Sequence, residues 1–212
     1  MIKAIFFDFD GVIVESAHIK TDAFREIFSK WPEYCEEAVK YHIINAGISR
    51  FVKFRYLYEE LLKQPYTEDI EKEMGEEFSR IVFEQVMKAP LVDGTVEFFE
   101  DKDNVCQSFV VSATPQEELE QVVDHKKLNN YFKELFGSPS LKPESINTIL
   151  NKYSFEKDET VFVGDGESDL VAANEVGVKF ILRKTQENGY LKKNVSYEIN
   201  DLTELKDLLL KI

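Results

Sequence analysis

Cysteine is scarce: the 212 residues hold only Cys35 and Cys106, without CxxC spacing and in unrelated segments, one helical and one strand-like. A disulfide framework and a cysteine-ligated zinc site are therefore set aside, and both thiols read as packing residues. Histidine is nearly as rare, and His18, His42 and His125 lie without ligand spacing. Nine glycines and six prolines are too few for a collagen-like or low-complexity chain. No apolar run approaches the roughly 20 residues a membrane span needs. Met1-Ile2-Lys3 runs straight into a strand-like stretch rather than a signal-peptide core, so the expectation is a cytoplasmic protein with no membrane partner. Positive charge is also in short supply. Against 40 acidic residues stand 26 basic ones, and the net charge of -14 gives a field that repels nucleic acid and anionic membranes.

What is present is ordinary for a soluble globular protein: 43% hydrophobic, 13% aromatic and 31% charged residues. Against a soft prior of about 150 residues per domain, the length fits one domain or a core with a smaller insertion. IKAIFFD is a nearly continuous apolar run of strand length, the pattern of a parallel strand buried on both faces. Similar runs recur in NVCQSFVVS from Asn104, ETVFVGD from Glu159 and VKFILR from Val178, separated by stretches of helical spacing. That alternation predicts a parallel α/β sheet.

Residues 16–90 break the alternation. Phe54, Leu57, Tyr58, Leu61 and Leu62 repeat at helical steps, as do Ile70, Met74, Phe78, Ile81 and Val86 after Thr67, with Pro32, Pro65 and Pro90 as punctuation. The expected organisation is a core domain of residues 1–15 and 91–212 with a helical insert at 16–90, hinged near Ile13–Ser16 and Ala89–Gly94 and resuming at TVEFFE. Trp31 beside Pro32 reads as a packing anchor at a helix end.

Carboxylates gather where the apolar runs end. Asp8 and Asp10 in FFDFDGVIVES are spaced i, i+2, so both point to one side of an extended chain, and Gly11 then permits a sharp turn. Taken alone, the pair also fits exposed loop aspartates or a generic cation loop. In GDGESD, Asp165 closes a second run and Asp169 falls in the first turn of the next helix. Two acidic clusters at strand ends of one sheet suit a hard cation with oxygen ligands, magnesium above all; a calcium loop lacks its terminal bidentate Glu here. SFVVSATP places Ser112, with Ala113 beside it, ahead of Pro115 at the first turn of a helix, where a hydroxyl and free amides suit a phosphate oxygen. Lys142 in SLKPES precedes a further helix and, in isolation, is an ordinary surface charge. Together these four elements supply a metal site, amide donors and a lysine, the needs of phosphoryl transfer.

In that order the pieces resemble the motifs of the haloacid dehalogenase-like hydrolase superfamily: FFDFDG, VVSAT, the lysine of LKPES, and GDGESD. The resemblance implies a Rossmann-like core with an α-helical cap, the subclass that includes phosphoglycolate phosphatases and β-phosphoglucomutases. It implies Asp8 as nucleophile, Asp10 as general acid and base, and Ser112, Ala113 and Lys142 at the phosphate. Mg2+ would be held by Asp8, the Asp10 carbonyl and Asp165, with Asp169 supporting its surroundings. An aspartate at position 10 favours phosphoryl transfer over dehalogenation, since a halide leaves without a proton. In the cap, NAGISRFVKFRY is similar to the substrate-contact loop of β-phosphoglucomutase, with Gly47 and Arg50 at matching places. Ala46 stands where that enzyme has a lysine, and Lys20 where a histidine is usual. The expected activity is Mg2+-dependent hydrolysis of a small phosphorylated metabolite, for which a monomer suffices. Alternatives are a mutase using Arg50 and Lys20 as a second anion site, a phosphonate hydrolase using Lys53, or a non-catalytic binding protein. Lys53 and Arg55 are equally readable as a solvated helix face.

Overall fold

Six parallel strands form one sheet: β1 (Ala4–Phe7), β2 (Gln107–Pro115), β3 (Leu135–Ser138), β4 (Thr160–Gly164), β5 (Lys179–Arg183) and β6 (Glu198–Ile199), in the order β3-β2-β1-β4-β5-β6. The computed structural model of the chain describes residues 1–45, 48–103 and 105–212. Ala46, Gly47 and Asn104 lie outside these described residues, so the expected substrate contact by Gly47 does too.

Alternation within the strands explains why the sheet is covered on both faces. Ala4 and Phe6 of β1 join Phe109, Val111 and Phe162 in one cluster, while Ile5 and Phe7 join Val110, Val161 and Val163 in the other. Helices α7 (Lys142–Tyr153) and α8 (Glu167–Val176) bury Ile146, Ile149, Ala172 and Ala173 against the first. The opposite face takes Phe98 of α5 (Thr95–Glu100), Leu119 and Val123 of α6 (Gln116–His125) and Leu205 of α9 (Leu205–Leu209). Burial on both faces is why these strands read as continuous apolar runs. β2 continues through Pro115, so this proline ends the strand and α6 begins one residue later than the sequence suggests. TVEFFE, where the core resumes, is the helix α5.

Between β1 and β2 the chain is helical: α1 (Ala17–Phe28), α2 (Pro32–Ile44), α3 (Arg50–Tyr56) continuing as a wider turn over Leu57–Leu61, and α4 (Glu68–Lys88). Pro32 opens α2, where a missing N–H costs nothing, and the Thr67 hydroxyl accepts from the Ile70 amide at 3.3 Å to cap α4. The four helices pack around Phe24, whose ring lies 4.1 Å from His42, 5.2 Å from Phe54 and 5.4 Å from Phe78, centroid to centroid. Trp31 packs between Phe28 and Tyr58. The segment leaves and rejoins the core through two adjacent strands of chain. Val14 bridges antiparallel to Leu91, the Glu15 amide donates to the Pro90 carbonyl at 3.0 Å, and the Val92 amide donates to the Ile13 carbonyl at 3.0 Å.

The strand order reverses between β1 and β4, so the crevice beyond their carboxyl ends is the topological switch point where open α/β sheets bind ligands.

Candidate active site

Register places the expected residues at one level. Phe7 pairs with both Val110 and Val163, so Asp8 and Asp165 leave their strands beside Ser112, which lies within β2 two residues past its last rung with β1. Lys142, the first residue of α7, reaches across them. Its Nζ lies 2.9 Å from Asp8 Oδ2 and closer still to Asp169 Oδ1. Asp169 is fully enclosed, and its other oxygen accepts the amides of Asp165 at 3.2 Å and Gly166 at 2.9 Å. That return to the preceding amides is the usual service of an acidic residue at the third helical position. Asp8 Oδ1 accepts the Phe9 amide at 2.7 Å.

Carboxylate oxygens of Asp8, Asp165 and Asp169 lie within 4.8 Å of one another. Burial, reinforced by the neighbouring carboxylates and opposed by Lys142, raises the Asp8 pKa to about 6; burial and the Asp8 and Asp169 charges push Asp165 well above its ordinary value. Lys142 moves upward because its two carboxylate partners outweigh burial. Three carboxylates facing one ammonium leave about two negative charges uncompensated when all are ionised, and the donors are hard oxygens. Both features fit a dication such as Mg2+. Asp169 is the most engaged of the three, with Lys142 on one oxygen and two amides on the other, while Asp8 carries one contact on each oxygen. Gly11 is obligatory here: its φ is +77°, and a Cβ would sit 2.1 Å from Asp165 Oδ2.

Asp10 occupies a different environment. It accepts from Ser16 Oγ at 2.5 Å, from Thr114 Oγ1 at 2.7 Å and from Lys20, which also donates to Thr114 Oγ1 at 2.9 Å. Burial would raise its pKa, but the Lys20 charge and these hydrogen bonds prevail and lower it. The two aspartates of FFDFDG are thus driven in opposite directions, the separation expected of carboxylates with different duties.

A cavity of about 60 Å³ opens above these groups. Its floor is Asp8, Asp10, Ser112, Ala113 and Asp165; its roof is Phe24, His42, Arg50, Lys53 and Phe78 of the helical segment. A roomier cleft of about 510 Å³ alongside shares only Ile48 and Ala113 with it, and is walled largely by aliphatic side chains such as Val52, Leu141 and Val171. The chemistry lies in the smaller cavity, where the carboxylates are.

The roof separates three basic residues that look alike in sequence. Arg50 is buried, 4.5 Å over the Phe78 ring, and its guanidinium makes a paired contact with the Glu118 carboxylate of α6 at 2.6 and 3.2 Å; Ser79 of α4 donates to the same carboxylate. Arg50 therefore borders the cavity while committed to a bridge between insert and core. Lys53 is also buried, with Nζ 3.0 Å from His42 Nδ1, 3.4 Å from the Asn45 carbonyl and 5.2 Å over the Phe24 ring. Arg55 points outward to Glu59 and Glu71 with its side chain 55% exposed, on a solvated helix face. The sequence carried a sign of this division: Arg50, Lys53, Phe54 and Leu57 fall at i, i+3, i+4 and i+7, the buried stripe, and Arg55 does not.

Other site residues escaped sequence reasoning. His42 follows Ala38 and Val39 on the buried face of α2, a periodicity that pointed inward. Thr114 gave no sign of reaching Asp10. Asn188 donates from Nδ2 to the carbonyls of Asp165 at 2.9 Å and Arg183 at 2.8 Å, tying the loop after β5 to the end of β4, a role that only the assembled sheet reveals.

A switch-point crevice, a lysine spanning two carboxylates and helices inserted between β1 and β2 above them make this a doubly wound α/β protein with its polar site at the strand ends. The chain belongs to the haloacid dehalogenase-like hydrolase family, which matches residues 5–183. It is 23% identical over 185 residues to a phosphorylated carbohydrates phosphatase of Thermotoga maritima, covering 85% of this chain and 84% of that protein. It is 25% identical over 186 residues to a phosphoglycolate phosphatase of Haemophilus influenzae, covering 82% of each. Among solved structures, a hydrolase from Pseudomonas syringae superposes with a TM-score of 0.79 at 18% identity, covering 99% of both chains, a likeness of fold.

Proposed function

We propose that this chain is a magnesium-dependent phosphatase for a small phosphorylated metabolite, working through an aspartyl-phosphate on Asp8. The observation that carries the reading is the Lys142 ammonium spanning Asp8 and Asp169, with the Asp165 carboxylate beside them, at the switch point of the sheet. The phosphatase names of two curated relatives support the same reaction class. We also propose residues 16–90 as the cap and 1–15 with 91–212 as the core.

Asp8 Oδ attacks phosphorus, the ester oxygen departs with a proton from Asp10, and Asp8 carries the phosphoryl group. Water then attacks that phosphorus while Asp10 takes its proton, releasing inorganic phosphate and regenerating the Asp8 carboxylate. Lys142 fixes the Asp8 carboxylate in one orientation and offsets charge on it, and the Ser112 hydroxyl with nearby amides receives the phosphoryl oxygens. The metal would be held by Asp8, Asp165 and the Asp10 carbonyl, and when bound it supplies compensation for the negative charge that gathers around phosphorus. Asp169 would orient Lys142 rather than bind the ion.

Asp10 rests ionised against Lys20, the state suited to the second step. Its proton for the first step has to be loaded as substrate binds, and a phosphate dianion arriving nearby raises its affinity for one.

The test is phosphate release from a panel of phosphate monoesters with and without Mg2+, for wild type and Asp8→Asn side by side. We expect Mg2+-dependent release that falls by roughly a thousandfold or more in the variant. Equal hydrolysis by Asp8→Asn would overturn the covalent route.

A further inference from the structure

Among the described residues, the cations around the cavity are matched with carboxylates, with one exception. Lys142 has Asp8 and Asp169, Lys20 has Asp10, and Arg50 has Glu118. Lys53 is as buried as these, 4% exposed, yet its described polar partners are the His42 ring and one carbonyl. An ammonium enclosed this way is costly unless an anion joins it. Its geometry shows where one can come from. A lysine has three donors. One meets His42 Nδ1 and a second lies at the long distance of 3.4 Å from the Asn45 carbonyl, while both Lys53 and His42 line the cavity above Asp8.

We infer that Lys53, steadied by His42, docks a carboxylate at the far end of the substrate, so that the enzyme selects short phosphorylated carboxylic acids over neutral phosphate esters of equal length. This inference rests on the phosphatase reading above. A carboxylate suits the site better than a second phosphate, which would ask for several donors where Lys53 has one left over. A neutral hydroxyl would leave the lysine charge uncompensated. The state of the pair agrees. Burial, with the Lys53 and Lys20 charges, keeps His42 neutral and able to accept. Burial, with Lys20 and Arg50, brings the Lys53 pKa down to about 7, so charge on it is available but unfavourable until an anion arrives. The titratable and charged groups facing Lys53 are His42 from α2, Lys20 from α1, Arg50 from its own helix, and Lys142 and Asp10 from the core.

The experiment compares kcat/KM for phosphoglycolate and 2-hydroxyethyl phosphate, which differ only at the end away from phosphorus. Wild type should favour the acid by about 10- to 100-fold, the span of one hydrogen bond to a charged group. Lys53→Met should collapse that ratio to within a few-fold, chiefly through KM, with Lys53→Gln as a second variant. In wild type the ratio should also fall between pH 6 and pH 9 as free Lys53 loses its proton; the ester phosphate titrates alike in both substrates and cancels. A wild-type ratio near one, or a ratio that survives in Lys53→Met, would overturn the inference. Failure to hydrolyse either ester would instead strike the phosphatase reading. Calorimetric binding of phosphonoacetate against ethylphosphonate then decides the inference without turnover: tighter binding of the acid, lost in Lys53→Met, supports it, and equal binding ends it. Borohydride trapping of a phosphonoaldehyde on the Lys53 peptide would also overturn it, making Lys53 a nucleophile.

Discussion

Two lysines are buried at the site, one against the Asp8 carboxylate and one lining the cavity above it, and their surroundings push them in contrary directions. Lys142, in the core, lies between Asp8 and Asp169 and is driven to hold its proton. Lys53, in the inserted helices, has an imidazole and a carbonyl for company and is driven to release its own, with a pKa of about 7. The core centre is electrostatically built before substrate arrives, apart from the charge a metal would bring. The insert's centre is incomplete by one anion. The difference separates chemistry from recognition: what must be the same for every turnover is supplied by the chain, and what identifies the substrate is left for the substrate to supply.

The comparison is broken most severely at Lys142. Lys142→Met leaves Asp8 and Asp169 buried without their cation, which should lower stability by about 3–5 kcal/mol in chemical denaturation. It should also reduce kcat by roughly a hundredfold or more. Lys53→Met should move the opposite way, because it removes a buried charge that lacks a counter-ion. In the folded chain Lys53 titrates near 7 and in the unfolded chain near 10.5. The penalty is therefore fully present below about pH 7, declines as the unfolded chain alone holds the proton between the two values, and is gone above pH 10.5. The variant should be more stable than wild type by on the order of a few kcal/mol at pH 6.5, with the gain vanishing towards pH 10; a constant gain across that range would contradict the assignment. Glu118→Gln tests the bridge between the two regions. Loss of the charged partner of Arg50 should cost about 1–2 kcal/mol in thermal unfolding and raise KM more than it lowers kcat. The smallest effect belongs to Arg55→Ala on the outer face, within about 0.5 kcal/mol and without change in kinetics.

Much of this was legible in sequence where one element determines the outcome. β1, β2, β4 and β5 announce themselves because burial on both faces demands unbroken apolar runs. Asp8, Asp10 and Asp165 stand at the ends of such elements, so their spacing brings them near the crevice, whereas Lys142, an ordinary surface charge by spacing, is placed there by the family resemblance. β3 and β6 were not legible, being four and two residues long at the sheet edges and only partly buried. Thr114, Glu118 and Asn188 were hidden for another reason: each matters through a partner far away in the chain, and a polar residue at a strand end, in a first helical turn or in a loop looks the same with such a partner or without it. Lys53 was half legible. Its place on the stripe with Phe54 and Leu57 marks it as inward, but lysine composition argues for solvent, and only the packing around Phe24 decides between them.

The paired linkers bear on how such a chain can fold and vary. Because Val14 bridges Leu91 and their neighbours exchange backbone hydrogen bonds, the whole helical segment leaves and re-enters the core at a single neck. To the core it is a loop whose ends are already joined, and the entropy of closing a loop rises by only about 0.6 kcal/mol for each doubling of its length. A segment at such a neck can be lengthened, trimmed or exchanged at little thermodynamic expense to the sheet it interrupts.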